Sequence, residues 1–263
     1  MEGIVMICVS ELTKIYGRTV AVDNISFEIP PGQIVGYLGP NGAGKSTTVK
    51  MLVGMLQPTR GQIVVAGCDS QTNNIELKRR IGYVPEDAIL YETLTPVEYL
   101  QLVGQLYHMT EKSIAEKIDD FLEVFQLTRA AHQRISSLSK GMRQKVLIIS
   151  ALLHNPDVLF LDEPFSNLDV STVTLMKKIL QDLAGIGKTI LYCTHILDVA
   201  KNICHRVLIL NRGKIVADGS IDELREMAHR TSLEEIFALM TEADEVDIKS
   251  ASVIHTMTEH RDV

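Results

Sequence analysis

The stretch Gly39-Pro40-Asn41-Gly42-Ala43-Gly44-Lys45-Ser46-Thr47 constrains this chain more than any other. It has the form G-x-x-x-x-G-K-[ST], a phosphate-binding loop, which works only between a strand and the N-terminus of a helix. Both flanks are present. The apolar run Ile34-Val35-Gly36-Tyr37-Leu38 reads as a short buried strand, and Ser46 to Leu56 places Val49, Leu52, Val53 and Leu56 at helical spacing. Glycines let successive backbone N–H groups turn inward toward phosphate oxygens, and the helix dipole adds positive potential there. Lys45 brings a full charge to the β- and γ-phosphates, and the Ser46 hydroxyl is placed to ligate Mg²⁺.

Around this loop the pattern alternates between strands and helices. Residues 4 to 10 and 20 to 29 alternate apolar and polar, as antiparallel strands do, with Lys14-Ile15-Tyr16-Gly17 as a turn between them. Tyr16 there can stack on an adenine or pack at a sheet edge, and the stretch does not decide which. Strands are also expected at 62–67 and 81–84, with a short basic helix at 75–80. Three helices follow, from Pro96 to His108, Ser113 to Leu127 and Ser139 to His154, each with apolar residues at helical spacing. Val158-Leu159-Phe160-Leu161 restores the β pattern as a solid apolar run, typical of a central strand covered on both faces. A helix over 175–184, a strand over 189–193, a helix over 196–203 and a hairpin about Asn211-Arg212-Gly213 come next. Tail helices are expected at 221–227 and 233–240. From Thr241 the chain is polar and acidic without a strong period, and is expected to be loosely held.

Two acids, Asp162 and Glu163, end the strand at 158–161. Beside a phosphate loop, Asp162 is suited to hold Mg²⁺ with Ser46, and Glu163 to take the proton from a water attacking the γ-phosphate. Further motifs then give a resemblance to the ATP-binding cassettes, the ATPase subunits of ABC transporters. Leu138-Ser139-Lys140-Gly141-Met142 resembles the family's LSGGQ signature, Ser166-Asn167-Leu168-Asp169 its D-loop, and His195 its switch histidine. The resemblance covers residues 1 to 222 with every motif in family order, and it puts Tyr16 at the adenine-stacking position.

The resemblance implies a P-loop NTPase (RecA-like) α/β core with an antiparallel β subdomain and an inserted α-helical subdomain. The core would comprise 1–85 and 157–222, the helical subdomain 86–156 and a C-terminal helical tail 223–263. It implies ATP and Mg²⁺ as ligands, catalysis by Glu163, His195 and Lys45, and ATP binding by Tyr16 and the loop Gly39, Pro40, Asn41, Gly42, Ala43, Gly44, Lys45, Ser46 and Thr47. Ser139 and Gly141 would act in trans, on ATP bound by a second cassette. Ser46 and Asp162 would hold the metal, with Glu86 beside them. The partners would be a second ATPase subunit, identical or different, and a separate integral membrane permease. The chain would then sit on the inner, cytoplasmic face of the membrane.

Two departures mark a subgroup. Glu86 stands where the family commonly has Gln, adding a negative charge near a triphosphate that Mg²⁺ must offset. Lys140-Gly141-Met142 replaces Gly-Gly-Gln but keeps a hydroxyl and a glycine. Both departures, and the Ser232 to Phe237 tail, resemble cassettes serving ABC-2 type exporters of drugs, ions, polysaccharides or peptides. A soluble cassette acting as a nucleotide-gated assembly factor would use the same motifs. A DNA-repair or chromosome-organising ATPase fits less well, because residues 86–156 are short and lack long heptads. The formal charge of -7 also argues against nonspecific nucleic-acid binding. No apolar run approaches the roughly 20 residues that span a bilayer. Met1 to Ser10 lacks the basic start of a signal peptide. Cys8, Cys68, Cys193 and Cys204 form no C-x-x-C pair and are expected as reduced thiols, mostly buried, in a cytosolic protein.

Overall fold

In the computed structural model, which describes residues 5–87, 89–228 and 232–241, two sheets share one apolar layer. β1 (Ile7–Tyr16), β2 (Thr19–Ile29), β4 (Arg60–Val65) and β5 (Cys68–Asp69) form an antiparallel sheet in the order β2-β1-β4-β5. The second sheet has the order β10-β9-β3-β8-β7-β6 and contains β3 (Ile34–Leu38), β6 (Ile81–Val84), β7 (Val158–Asp162), β8 (Thr189–Thr194), β9 (Arg206–Asn211) and β10 (Lys214–Gly219). Its ladders are parallel except for the β9–β10 hairpin.

The solid apolar runs of β3, β7 and β8 follow from cover on both faces. Val35, Tyr37, Val158, Phe160, Leu191 and Cys193 face the antiparallel sheet and helix α1 (Lys45–Leu52), packing with Val9, Phe27, Val49 and Ile63. Their neighbours Ile34, Leu159, Leu161, Ile190 and Tyr192 face the opposite way, into a core shared with the helices. Each large side chain fully buried in this way contributes about 1.5–3 kcal/mol. Between β6 and β7 lie α3 (Pro96–Leu106), α4 (Glu111–Val124) and α5 (Lys140–Leu152), the inserted helical subdomain of a RecA-like P-loop fold. The start of α3 is fixed locally by a capping box. The Thr95 hydroxyl accepts from Glu98 N at 3.2 Å, and the Glu98 carboxylate accepts from Thr95 N at 2.8 Å. The remaining helices are α2 (Asn74–Arg80), α6 (Val170–Gly185), α7 (Leu197–Ile203), α8 (Ile221–Ala228) and α9 (Leu233–Thr241). α8 and α9 bury Leu224, Leu233 and Ile236 against Ala200 of α7 and Val207 and Ile209 of β9.

Several expectations are corrected. Lys14, Ile15 and Tyr16 belong to β1, paired with Val22, Val20 and Thr19, so Tyr16 ends a strand and the turn is only Gly17-Arg18. The alternation fails before that point because β1 carries register shifts between Val9 and Leu12, Leu12 and Lys14, and Lys14 and Ile15. α1 stops at Leu52, ahead of the expected Leu56, where Gly54 at φ 70° donates its N–H back to Met51 O. α6 begins at Val170, not 175, because the Asp169 carboxylate accepts from Thr172 N at 2.9 Å and caps the helix. Cys68 and Cys193 are buried, Cys8 and Cys204 are half-buried, and all four are free thiols. The loosely held tail expected from Thr241 onward lies, beyond that residue, outside the described residues.

Candidate functional site

Four parallel strands deliver the candidate residues to one edge of the sheet. The phosphate loop follows β3, Glu86 follows β6, Asp162 ends β7 and is followed by Glu163, and His195 follows β8. In open α/β sheets this carboxyl edge is where ligands bind. A cavity of about 330 Å³ lies here, lined by Asn41, Gly42, Gly44 to Thr47, Glu86, Asp162 and Glu163, and by Ala21 of β2.

The loop is wedged into this place. A Cβ at Gly39 would lie 2.4 Å from Leu210 O, and Gly44, at φ 108°, has Ala21 O at the same distance from an added Cβ. Only glycine fits either position. No side chain caps α1 and no acid occupies its first turn, so its leading N–H groups stay available to an anionic ligand. Lys45 is 7% exposed, and its ammonium donates to Gly39 O at 2.6 Å and Pro40 O at 3.2 Å. The cation is thereby held over the loop, within the cavity wall. Ala43 is buried behind it and accepts the N–H of Gly213 through its carbonyl.

The acid pair divides into two environments. Asp162 is 2% exposed, and its side chain meets the Ser46 hydroxyl. Burial pushes its carboxyl above the usual range, with the Ser46 hydrogen bond acting against that shift and the charges of Glu86 and Glu163 adding to it. Its Oδ1 is buried without a hydrogen-bond partner, an arrangement that is costly for a lone carboxylate and natural for one that meets a cation. Glu163 sits in the left-handed region at φ 47°, a strained conformation for a residue with a Cβ. Its Oε2 accepts from Thr194 Oγ1 at 2.9 Å, and its Oε1 accepts from His195 N at 2.8 Å and His195 Nδ1 at 2.6 Å. An ionised carboxylate only accepts, so His195 carries its proton on Nδ1 and keeps Nε2 for another partner.

Some expected residues stay outside this cavity. Tyr16 is half exposed at the end of β1, with Lys14 Nζ 5.1 Å from its ring centroid. Ser139 is exposed and caps α5, its hydroxyl accepting from Met142 N at 3.2 Å. Gly141 is likewise absent from the cavity lining, and a Cβ there would meet Asn167 O at 2.6 Å. The signature helix is tied to the turn after Glu163 within the same chain, because buried Gln144 donates from Nε2 to Pro164 O at 3.0 Å. Sequence reasoning missed Gln144, Ala21 and Thr194. The partners of Gln144 and Thr194 are 20 and 31 residues away, so no local pattern exposes them.

The family model described as ABC transporter matches residues 22–166. An uncharacterized ABC transporter ATP-binding protein of Methanocaldococcus jannaschii is 41% identical over 222 residues, covering 84% of this chain and 80% of its own length. The Nod factor export ATP-binding protein I of Cupriavidus metallidurans is 36% identical over 211 residues, 80% of this chain and 70% of that one. Among solved structures, the dimeric form of a bacterial ABC transporter cassette matches with a TM-score of 0.76 at 28% identity, over 82% of this chain and 98% of that one. A loop, an acid pair and a fold with these relatives have one reading: the chain belongs to the ABC transporter family, as a subunit that binds and hydrolyses ATP.

Proposed function

We propose that two copies of this chain, or one copy and a similar chain, close around ATP and drive a separate integral membrane permease of the ABC-2 exporter type. The observation that carries the reading is a divided site. The loop and acids line one cavity, while Ser139 and Gly141 present the start of α5 elsewhere on the surface. A helix start with a hydroxyl and free amides suits an anion held by another molecule, and the dimeric cassette noted above shows that a chain of this fold pairs. The export reading rests on the relative whose name records Nod factor export and on the subgroup marks at Glu86 and 140–142.

In this account the loop amides and Lys45 bind the β- and γ-phosphates, and Tyr16 stacks on the adenine. Ser46 and Asp162 would hold Mg²⁺, which offsets phosphate charge when bound. Glu163 accepts the proton of the attacking water, and His195 orients Glu163 through Nδ1 while Nε2 meets the γ-phosphate. Loss of that phosphate removes the group joining the two chains and lets them part.

Glu86 is exposed and lines the cavity close enough to Asp162 to raise its carboxyl. Glu86→Gln is expected to keep ATPase activity and to shift its Mg²⁺ dependence. A Mg²⁺ titration that overlays the parent would remove Glu86 from the metal site.

The permease would dock where the core meets the helical subdomain. A cavity of about 230 Å³ opens there between Met55, Tyr83, Tyr99, Leu106 and Tyr107. Ile89 is 93% exposed and Tyr91 64% exposed in the segment after Glu86. Such a patch asks for cover. No helix among the described residues is long and apolar enough to cross a membrane; in this reading the permease carries out the membrane step. Tagged protein captured from a detergent extract should bring down a polytopic membrane protein, and Ile89→Asp with Tyr91→Asp should release it. Capture of soluble partners alone would favour the assembly-factor reading.

A further inference from the structure

Glu163 offers about four acceptor positions when ionised. Three are occupied: two on Oε1 by the backbone and ring nitrogens of His195, and one on Oε2 by Thr194. The one that remains is on Oε2, the oxygen that the Thr194 hydroxyl holds. Thr194 is fully buried, at the end of β8. Its hydroxyl accepts from Ile196 N at 3.0 Å, and the Tyr192 phenol also approaches it. Both of those neighbours can donate, whereas the carboxylate can only accept, so the threonine proton goes to Glu163. The hydroxyl is thereby clamped between the first turn leading into α7 and the carboxylate, with no freedom to rotate away.

We propose that Oε2 is the oxygen of Glu163 that receives the proton of the attacking water, and that Thr194 is the positioning residue that aims it. This rests on the assignment of Glu163 as the base and goes beyond it in naming the oxygen and what fixes it. The backbone of Glu163 is held by its N–H to Cys193 O and by Ser166 N to its carbonyl, but apart from Thr194 no hydrogen bond among the described residues fixes Oε2. That backbone is in the left-handed region, and His195, whose side chain is 55% exposed, restrains only Oε1. Without the threonine hydroxyl the carboxylate can pivot about the Oε1 contacts, and its open acceptor position no longer has one direction. Small errors of aim are costly in a proton transfer that needs hydrogen-bond geometry.

The test is steady-state ATPase kinetics on Thr194→Val and Thr194→Ala, each with and without Glu163→Gln. Removing one hydrogen bond to a charged group is expected to lower kcat by about 10- to 100-fold. KM for ATP should stay at the parental value, because Thr194 touches no ATP-binding group. Thr194→Ser, which restores the hydroxyl, should recover most of the lost turnover. In the Glu163→Gln background, Thr194→Val should cause no further fall, since the group it aims is already gone. Parental kcat in both Thr194→Val and Thr194→Ala, no recovery in Thr194→Ser, or an equal fall in the Glu163→Gln background would each overturn the proposal. If Glu163→Gln itself turns over like the parent, the base assignment fails instead. If Glu163→Gln is slow and the Thr194 variants are not, only the present inference fails.

Discussion

Glu163→Gln is expected to lower ATP turnover by about 10²- to 10⁴-fold, the range for losing a general base. The substitution keeps the size of the side chain and one acceptor oxygen, and it removes the ability to take a proton at neutral pH. ATP binding should survive, because the loop, Lys45 and Ser46 are untouched. A binding titration that matches the parent beside phosphate release that has nearly stopped is the expected pair of results. The amide has a second consequence. It introduces a donor where Thr194 Oγ1, His195 N and His195 Nδ1 already donate, so the side chain can no longer accept from all three. The carboxamide therefore loses its basicity and the hydrogen bond it accepted from Thr194. Steady turnover equal to the parent would refute the assignment of Glu163 as base.

Lys45→Ala is expected to act on binding instead. In the structure its ammonium holds two loop carbonyls at 2.6 and 3.2 Å, and the same cation is the only full positive charge among the residues lining the cavity. Hydrogen bonds to charged groups contribute about 1.5–3 kcal/mol each. Removing the ammonium should thus weaken ATP affinity by about 10- to 100-fold. At one fixed ATP concentration, the rise in Tm on adding nucleotide should shrink accordingly. Without ATP the variant should remain folded, since the loop is still held by the hydrogen bonds from Ala43 N to Pro40 O and from Gly213 N to Ala43 O. Unchanged ATP affinity would contradict the loop assignment. The two variants are complementary: one should bind and not turn over, the other should fail at the earlier step.

How much of this was legible in the chain depends on the range of each interaction. The strands β3, β7 and β8 are plain in the sequence because both of their faces are covered, and every residue from Val158 to Leu161 must be apolar. The phosphate loop is plain because its residues are contiguous, and Asp162 and Glu163 because they directly follow an apolar strand. Tyr16 was read as a turn residue because the bulges in β1 break the alternation that identifies a strand. The first turn of α6, Val170-Ser171-Thr172-Val173-Thr174, is rich in β-branched residues with poor helix propensity. It is helical because Asp169 caps it, and that carboxyl is held far below the usual range by the Ser171 and Thr172 donors. The ties from Gln144 to Pro164 and from Thr194 to Glu163 join elements that only the fold brings together, so they carry no sequence signature.

The central claim is that ATP joins this chain to a second cassette, a copy of itself or a similar chain, each completing the other's site. Sedimentation velocity on the Glu163→Gln protein, with Mg–ATP and then with Mg–ADP, tests it most directly. With ATP the account predicts a species of twice the 29.2 kDa of one chain, abolished when Ser139 is also replaced by Ala, and reverting to one chain with ADP. A single 29.2 kDa species at saturating ATP both alone and when mixed with a similar cassette chain, or a dimer indifferent to nucleotide, would contradict it.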